Sequence, residues 1–368
     1  MSSSSRFSLL LINQFAAGLV FSVSSISFIL MLELTTSKYR SLAGNIALSS
    51  FAFGGVVITL FAYLTRHWEK LLWAITVFIG LYHPYLYYMP ESPLYLYSTK
   101  QYSKLEKLLR RIAKTNGRAE SDWHPVFQKF LNTEPLTHAT NEKNQKFADT
   151  VRQLVCRRTT IQRLLISSLM AFTGMLLYIK ISYGLAAMNI SPYINILIGA
   201  VVEILAYIIA NILMSTRLGR KYSSMIFTGL TCLCVVLIPW LTKHSTVATV
   251  IISQLGKFAV SASLAVTWIF ISELFPTSIR TGANGVATAV SRLGAITAPI
   301  IDSSIGEQYL PITFYIYGSL ALVVLFFILL LPETKNIALD DVINELNSKD
   351  GTEVMLASTV INSNDIDI

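Results

Sequence analysis

Residues 33–43 read ELTTSKYRSLA, and residues 273–283 read ELFPTSIRTGA. In both stretches a Glu and an Arg stand seven residues apart, as Glu33 with Arg40 and as Glu273 with Arg280. A long apolar segment ends at each Glu, and another begins just after each Arg. The chain therefore contains a duplicated unit, in which a short charged hinge joins two apolar helices.

The composition points to a protein that crosses a membrane several times. Of the 368 residues, 53% are hydrophobic and only 14% are charged, and the mean hydropathy is +0.55. Soluble domains carry roughly a quarter of charged residues. A bilayer core about 30 Å thick requires about 20 apolar residues per helix. The sequence thus predicts an all-α polytopic membrane protein with about nine spans, at 8–32, 42–65, 71–89, 161–183, 193–215, 222–242, 246–272, 281–303 and 312–332.

The basic residues predict how these spans are oriented. Positively charged loops stay on the cytoplasmic side. If the spans alternate in direction, the Lys and Arg residues near 38–40, in 100–158, at 217–221 and at 280 all fall on one side. The N-terminus is then external and the C-terminal tail cytoplasmic. The net charge of +8 reflects this bias, so no nucleic-acid partner is expected.

Several functional classes lack support in the sequence. The three cysteines offer no disulfide framework, because Cys156 falls in a cytoplasmic loop and Cys232 and Cys234 fall within a span. No metal-ligand spacing, phosphate-binding loop or Ser/His/Asp set is present, so we expect neither an enzyme nor a cofactor. Residues 8–32 exceed the apolar core of a signal peptide and lack a clear cleavage site, so we interpret them as a span.

The segment 90–160 is the one long stretch with the pattern of a soluble protein. Apolar residues from Tyr102 to Ile112 recur at helical spacing, and Gly117 follows as a helix stop. This pattern predicts an amphipathic helix with a basic outer face, either as a linker along the inner membrane surface or as a regulatory site. From 119 to 147 the pattern is weak and favours loose structure.

The two copies of the hinge also allow the two halves of the chain to be compared. Three spans and part of a fourth separate the long loop from Glu273, whereas only one span precedes Glu33. If both halves derive from one six-helix unit, the first half lacks three helices. The predicted domains are a partial bundle at 1–89, the linker at 90–160, a complete six-helix bundle at 161–332 and a tail at 333–368.

An ordered set of short motifs resembles one known family. These motifs are PESP at 90–93, YGL at 183–185, LGRK at 218–221, LGK at 255–257, ELFPT at 273–277 with Arg280, SRLG at 291–294 and LPETK at 331–335. Together they resemble the organic cation, organic anion and carnitine transporters of the major facilitator superfamily. The resemblance implies that superfamily's fold, with about nine of twelve helices present, and a plasma-membrane location.

The resemblance also implies a mechanism. Substrate binds near the bilayer midplane between two bundles that rock to expose it to each side in turn. The hinge pairs Glu33 with Arg40, and Glu273 with Arg280, can pair internally or with the loop Gly219-Arg220-Lys221. Such pairs would hold the cytoplasmic side closed. Their alternative role is that of ordinary charges at helix ends.

Charges within spans are the best sequence guide to the substrate, because each is costly in the bilayer and normally faces a cavity or a partner. Arg292 has small residues as helical neighbours, and a guanidinium suits a carboxylate. By resemblance, Arg at this position favours an anionic or zwitterionic substrate, and Lys257 adds a second positive charge. Glu203 either neutralises Lys180 in the adjacent span or contacts a cationic substrate. The aromatic residues Tyr178, Tyr183 and Trp268 are further candidates for the cavity or for simple packing.

Different functions stay open at this point. The chain is expected to be a secondary transporter of a small organic ion, with an anion or a carnitine-like zwitterion favoured. The alternatives are an organic cation transporter, and a truncated membrane protein that does not transport or that partners a full-length carrier. The expected contacts are the organic ion and the lipid bilayer, and the sequence sets no oligomeric state.

Overall fold

The computed structural model describes residues 8, 11–12, 15–16, 18, 22–35, 39–98, 101–133, 158–186, 191–275, 277–305 and 309–334. Within these ranges the regular structure is helical, and no strand occurs. The helices are α1 Ser22–Leu34, α2 Arg40–Thr65, α3 Trp68–Leu86, α4 Pro93–Ser98, α5 Tyr102–Thr115, α6 Glu120–Thr133, α7 Arg158–Ala186, α8 Pro192–Ser215, α9 Gly219–Thr242, α10 Thr246–Leu274, α11 Thr277–Ser304 and α12 Leu310–Ile328. The prediction of an all-α chain is confirmed.

The predicted spans coincide with the long helices. Helices α2, α3 and α7 to α12 each match one predicted span to within four residues at either end. Within the described residues, six helices are long and apolar enough to cross a membrane, namely α2, α7, α8, α9, α10 and α12. Helix α3 begins with Glu69 and Lys70, and α11 is rich in small polar residues. Most of the predicted first span at 8–32 lies outside the described residues, and α1 covers its end.

The linker contains more regular structure than its sequence predicts. Helix α5 coincides with the predicted amphipathic helix, and Gly117 follows it with a φ of +69°. The expectation of loose structure from residue 119 is wrong for α6, which is helical from 120 to 133. Trp123 and Phe127 of α6 pack against the apolar face of α5, and this burial stabilises a helix whose own pattern is weak. Residues 134–147 lie outside the described ranges.

The chain divides into two compact units. Unit 1 comprises Met1–Arg152 and Ser182–Asn211, and unit 2 comprises Gln153–Ile181 and Ile212–Ile368. Most of α8 therefore belongs to unit 1, whereas the sequence assigns the whole of 161–332 to one bundle. The predicted domain boundaries stay a prediction.

In unit 1, polar and aromatic contacts join α2 to α8. The Ser41 hydroxyl donates a hydrogen bond to the Asn211 side-chain oxygen at 3.0 Å. Twenty-odd residues further along α2, the rings of Tyr63 and Tyr193 meet edge to face with centroids 5.7 Å apart. Both contacts lie between residues of unit 1.

Unit 2 is built around α10, the most deeply buried of its helices. In the most apolar 18-residue stretch of this helix, 78% of the residues are buried. The end of α10 enters a core that also receives side chains from α7, α11 and α12, and this core consists of Met170, Ala171, Phe270, Ile271, Leu274, Phe275, Ala283, Ala287, Val324, Ile328 and Leu331. The alanines of α11 let its backbone approach closely, which is typical of helix pairs in membranes.

Gly294 offers a test of this close packing. A Cβ atom at Gly294 would collide with the backbone carbonyl of Phe172 in α7, whereas a Cβ at Gly285 of the same helix meets no heavy atom within 4 Å. Both Gly→Ala changes gain helix propensity of about 1 kcal/mol. Only Gly294→Ala forces the two backbones apart, at a cost of about 1–3 kcal/mol.

We therefore expect Gly294→Ala to unfold at a lower temperature than Gly285→Ala when both purified proteins are heated in detergent. Equal midpoints for the two variants would contradict the close contact between α7 and α11.

Candidate functional site

A network of charges at the end of α10 joins four parts of unit 2. The guanidinium of Arg220 binds both carboxylate oxygens of Glu273, with Nε to Oε2 at 2.9 Å and the second nitrogen to Oε1 at 3.1 Å. The Thr334 hydroxyl donates to the same carboxylate at 2.9 Å. Only 11% of the Arg220 side chain and 10% of the Glu273 side chain are exposed. We call Arg220, Lys221, Glu273, Glu333 and Thr334 the Glu273 network.

Glu333 closes the network onto the start of α9. Its carboxylate accepts hydrogen bonds from the backbone N–H groups of Arg220 at 2.8 Å and Lys221 at 3.0 Å. An anion is stabilised at this position, because the first N–H groups of a helix lack partners within the helix. The Lys221 ammonium in turn donates to the carbonyl of Leu329, at the end of α12.

Gly219 is the residue that makes this approach possible. Its φ is +72°, a conformation that residues with side chains rarely adopt. A Cβ atom at Gly219 would also lie 2.6 Å from the Glu333 carboxyl carbon. The glycine in the predicted loop Gly219-Arg220-Lys221 is therefore required by both backbone and space.

The first copy of the hinge has a matching but simpler arrangement. The Glu33 carboxylate accepts a hydrogen bond of 2.5 Å from the Ser92 hydroxyl. Ser92 stands in the sequence Pro-Glu-Ser and Thr334 in Pro-Glu-Thr, so each hinge carboxylate is bound by the hydroxyl that follows a Pro-Glu pair. Among the described residues, no Lys or Arg forms an ion pair with Glu33.

The two hinge arginines interact with backbone at the end of the helix before them. Arg40 Nε points to the carbonyl of Leu32 and Arg280 Nε to the carbonyl of Phe275, each at 3.4 Å. Of the pairings that the sequence allowed for Glu273, the structure shows the one with the Gly219-Arg220-Lys221 loop. Arg280 is itself 3% exposed and stabilises the end of α10.

Lys180 lies in a second charged cluster, within the helices of unit 2. Its ammonium is 2.7 Å from the Asp302 carboxylate and 2.7 Å from the Thr313 hydroxyl. It also lies over the ring of Phe314, 4.4 Å from the centroid. The side chain is 3% exposed. This cluster fastens α7 to the end of α11 and the start of α12. Glu203, one of whose two predicted roles was to neutralise Lys180, belongs to unit 1.

Arg292 and Lys257 remain half-buried within the helices of unit 2. The Lys257 ammonium is 5.8 Å from the ring centroid of Tyr178, a cation–π contact between α10 and α7. Arg292 lies on a different side of α11 from Ala283, Ala287 and Gly294, which pack closely against other helices. The side of α11 that carries Arg292 also carries Gly285, Thr288, Ala295 and Pro299, all of them small and none of them buried.

The other candidate residues differ in their surroundings. Trp268 packs against the apolar core of unit 2, which favours a packing role. Tyr183 is 60% exposed and belongs to unit 1. Glu203 is 4% exposed, on α8. It lies one turn before Tyr207, which is also buried.

Comparison with known proteins identifies the family. The sequence profile described as "Sugar (and other) transporter" matches residues 1–346. The chain belongs to this transporter family. Helices α1 to α12 and the Glu273 network lie wholly inside the matched range.

Curated relatives within the family agree with the resemblance seen in the sequence. Solute carrier family 22 member 3 of Mus musculus is 30% identical over 327 residues, which cover 87% of this chain and 56% of that protein. Organic cation/carnitine transporter 2 of Homo sapiens is 29% identical over 327 residues, with the same two shares. The chain thus spans a little over half the length of these relatives, which are transporters and not enzymes.

A solved structure shares the fold. The proton:xylose symporter XylE of E. coli, bound to 6-bromo-6-deoxy-D-glucose, matches with a TM-score of 0.69 and 19% identity. The match covers 88% of this chain and 70% of that one. The chain therefore has the fold of the major facilitator superfamily, as its motifs predicted.

Sequence reasoning missed four residues that complete these clusters. Glu333, Thr334 and Ser92 were visible as parts of two Pro-Glu motifs, and the near-identity of those motifs was a usable signal for a shared role. Asp302 gave a weaker signal, since it falls at the edge of a predicted span. Its pairing with Lys180 joins positions 122 residues apart, which no local spacing reveals.

The Lys180–Asp302 pair can be tested by a double-mutant cycle. Removing one partner leaves the other charge buried and alone, at a cost of about 3–5 kcal/mol. We expect Lys180→Met and Asp302→Asn each to lower the thermal midpoint of the purified protein. The double variant should recover most of the loss, because it leaves no unpaired charge. Additive losses in the double variant would show that the two residues do not act as a pair.

Proposed function

We propose that this chain is a secondary transporter of small organic ions that works by alternating access. The favoured substrate is an anion or a carnitine-like zwitterion, and the expected location is the plasma membrane with the C-terminus in the cytoplasm. The main support is Arg292, a half-buried guanidinium within α11 whose neighbours on the same stripe are all small.

The charges of unit 2 support an anionic group on the substrate. Charges within spans normally face a cavity or a partner, and Arg292 and Lys257 are half-buried cations on α11 and α10 of unit 2. A guanidinium offers two parallel donors to a carboxylate, which an ammonium does not.

The relatives and Glu203 support a second candidate, an organic cation. The name of the human relative includes both organic cations and carnitine, and carnitine itself carries a quaternary ammonium and a carboxylate. Glu203 is a buried acid that suits a cationic group. A zwitterion would need a positive side chain such as Arg292 for its carboxylate, whereas a simple cation would not.

Because the chain spans little more than half the length of its relatives, transport by this polypeptide is itself part of the proposal. The alternative is a membrane protein that does not transport or that accompanies a full-length carrier. Uptake of neither a carboxylate nor a quaternary amine, with the protein present at the cell surface, would favour this alternative.

The role of Arg292 is tested by uptake of labelled carnitine, an aromatic carboxylate and tetraethylammonium. Loss of a hydrogen bond to a charged group is worth about 1.5–3 kcal/mol, so Arg292→Ala should raise the KM for carnitine and carboxylate roughly 10- to 100-fold. Arg292→Asp should abolish carboxylate uptake and spare tetraethylammonium. Lys243→Ala, at an exposed position between α9 and α10, is the control and should change neither. Carboxylate uptake that survives Arg292→Asp would reject the assignment.

We further propose that the Glu273 network keeps the cytoplasmic side closed in the outward-open state. It ties the start of α9 to the end of α10 and to the segment after α12, so the network must loosen when these ends separate. The hinge at Glu33, Arg40 and Ser92 would serve unit 1 in the same way, with the Ser92 hydroxyl as a donor to its carboxylate.

Arg220→Ala tests this gate, with Arg217→Ala as a control in the same loop. Arg217 is exposed and lies outside the network. Without Arg220 the buried Glu273 charge loses its partner, and the closed state is weakened by about 3–5 kcal/mol. We expect slower uptake but retained or faster efflux for Arg220→Ala, and no change for Arg217→Ala. Equal losses of uptake and efflux in Arg220→Ala would indicate a structural role only.

A further inference from the structure

The linker helices form a small core of their own. Leu96 of α4, Leu105 and Leu108 of α5, and Phe127 of α6 are all buried together. The apolar face of α5 is therefore already covered by protein. Any further contact of α5 must use its other faces.

One of those faces carries a row of positive charges. Lys104, Lys107, Arg111 and Lys114 are all exposed and follow one another at intervals of three and four residues. This spacing places them along one side of the helix, where all four are exposed while Leu105 and Leu108 are buried. We call these four residues the basic stripe. Arg118, also exposed, continues the row beyond Gly117.

The acidic residues nearby are engaged elsewhere. Arg110 borders the stripe beside Lys107 and Lys114, and it pairs with Glu120 of α6 at 2.7 Å and with Glu106 at 3.3 Å. Glu106 also meets His124 at 3.5 Å. This set of contacts holds α5 and α6 together, and between residues 104 and 118 the sequence contains no acidic residue besides Glu106. Lys104, Lys107, Arg111 and Lys114 thus form an exposed row of four positive charges with no acidic residue in the same row.

The linker is attached at the end of α1, which covers the end of the predicted first span. The Ser92 hydroxyl is bonded to Glu33 in the last turn of α1, and α4 begins at the next residue. Leu96 of α4 then contacts the core of α5. A helix is about 10 Å across, and charges act over about 8 Å at physiological salt. The basic stripe is consequently held close to the membrane surface.

From these observations we infer that the basic stripe binds the headgroups of anionic phospholipids in the adjacent leaflet. The contact is electrostatic, since the apolar side of α5 is buried and does not insert between acyl chains. Clusters of four or more Lys and Arg next to membrane spans attract anionic lipids in this way. An acidic protein partner would meet the same charges, but the attachment at Glu33 and Ser92 favours the lipid.

The experiment uses the full chain in nanodiscs of phosphatidylcholine, with and without phosphatidylserine. Hydrogen exchange of α5 is the first readout, and titration with a short-chain phosphatidylserine in neutral detergent is the second. The stripe variant changes Lys104, Lys107, Arg111 and Lys114 to Gln. The control variant removes the same charge at exposed positions outside the linker, by changing Arg66, Lys70, Arg217 and Lys243 to Gln.

We expect phosphatidylserine to slow exchange in α5 of the wild type and of the control variant, but not of the stripe variant. Each neutralised stripe residue should weaken phosphatidylserine binding about fivefold, and added salt should weaken it further. Lipid dependence that persists in the stripe variant would overturn the inference. So would slowing of α5 exchange by free phosphoserine or by polyglutamate that equals the slowing by phosphatidylserine, since that would indicate a soluble anion or an acidic protein.

Discussion

The Glu273 carboxylate is a nearly buried charge at the end of a membrane helix, and much of unit 2 is arranged around its compensation. Removing a carboxylate from water costs several kcal/mol unless strong donors replace the water. Arg220 and Thr334 supply these donors, and they belong to the start of α9 and to the segment after α12. Glu333, the neighbour of Thr334, then satisfies the first N–H groups of α9. A single charge thereby sets the relative positions of three helix ends.

The same requirement explains the other polar clusters of the chain. Glu33 at the first hinge receives the Ser92 hydroxyl, and Lys180 within the helices of unit 2 receives Asp302 and Thr313. The two hinges use equivalent residues for the hydroxyl but differ in the arginine. The Ser92 and Thr334 hydroxyls each donate to a hinge carboxylate, and Glu273 also receives the bidentate ion pair with Arg220.

Much of this architecture can be predicted from the sequence, because membrane helices are recognised by their length and apolarity. The eight matched spans, the helix at 102–115 and the glycine of the Gly219-Arg220-Lys221 loop follow from local rules. Helix α6 does not follow from local rules, because Pro125 and a mixed polar and apolar pattern are untypical of a helix. Its stability comes from the packing of Trp123 and Phe127 on α5. The role of Asp302 could not be predicted from local rules either, because it depends on how α7, α11 and α12 pack. Local chemistry thus predicted the helices and the family, and tertiary packing decided which charges meet.

The pairing of Lys180 with Asp302 also has an electrical meaning. A single charge that moves across the whole membrane exchanges about 2.3 kcal/mol with a potential of 100 mV. Two opposite charges 2.7 Å apart carry no net charge, so they exchange almost nothing with that field however α7 and α11 move together. Lys180 therefore stays in the interior of unit 2 without making the motion of its helices sensitive to voltage.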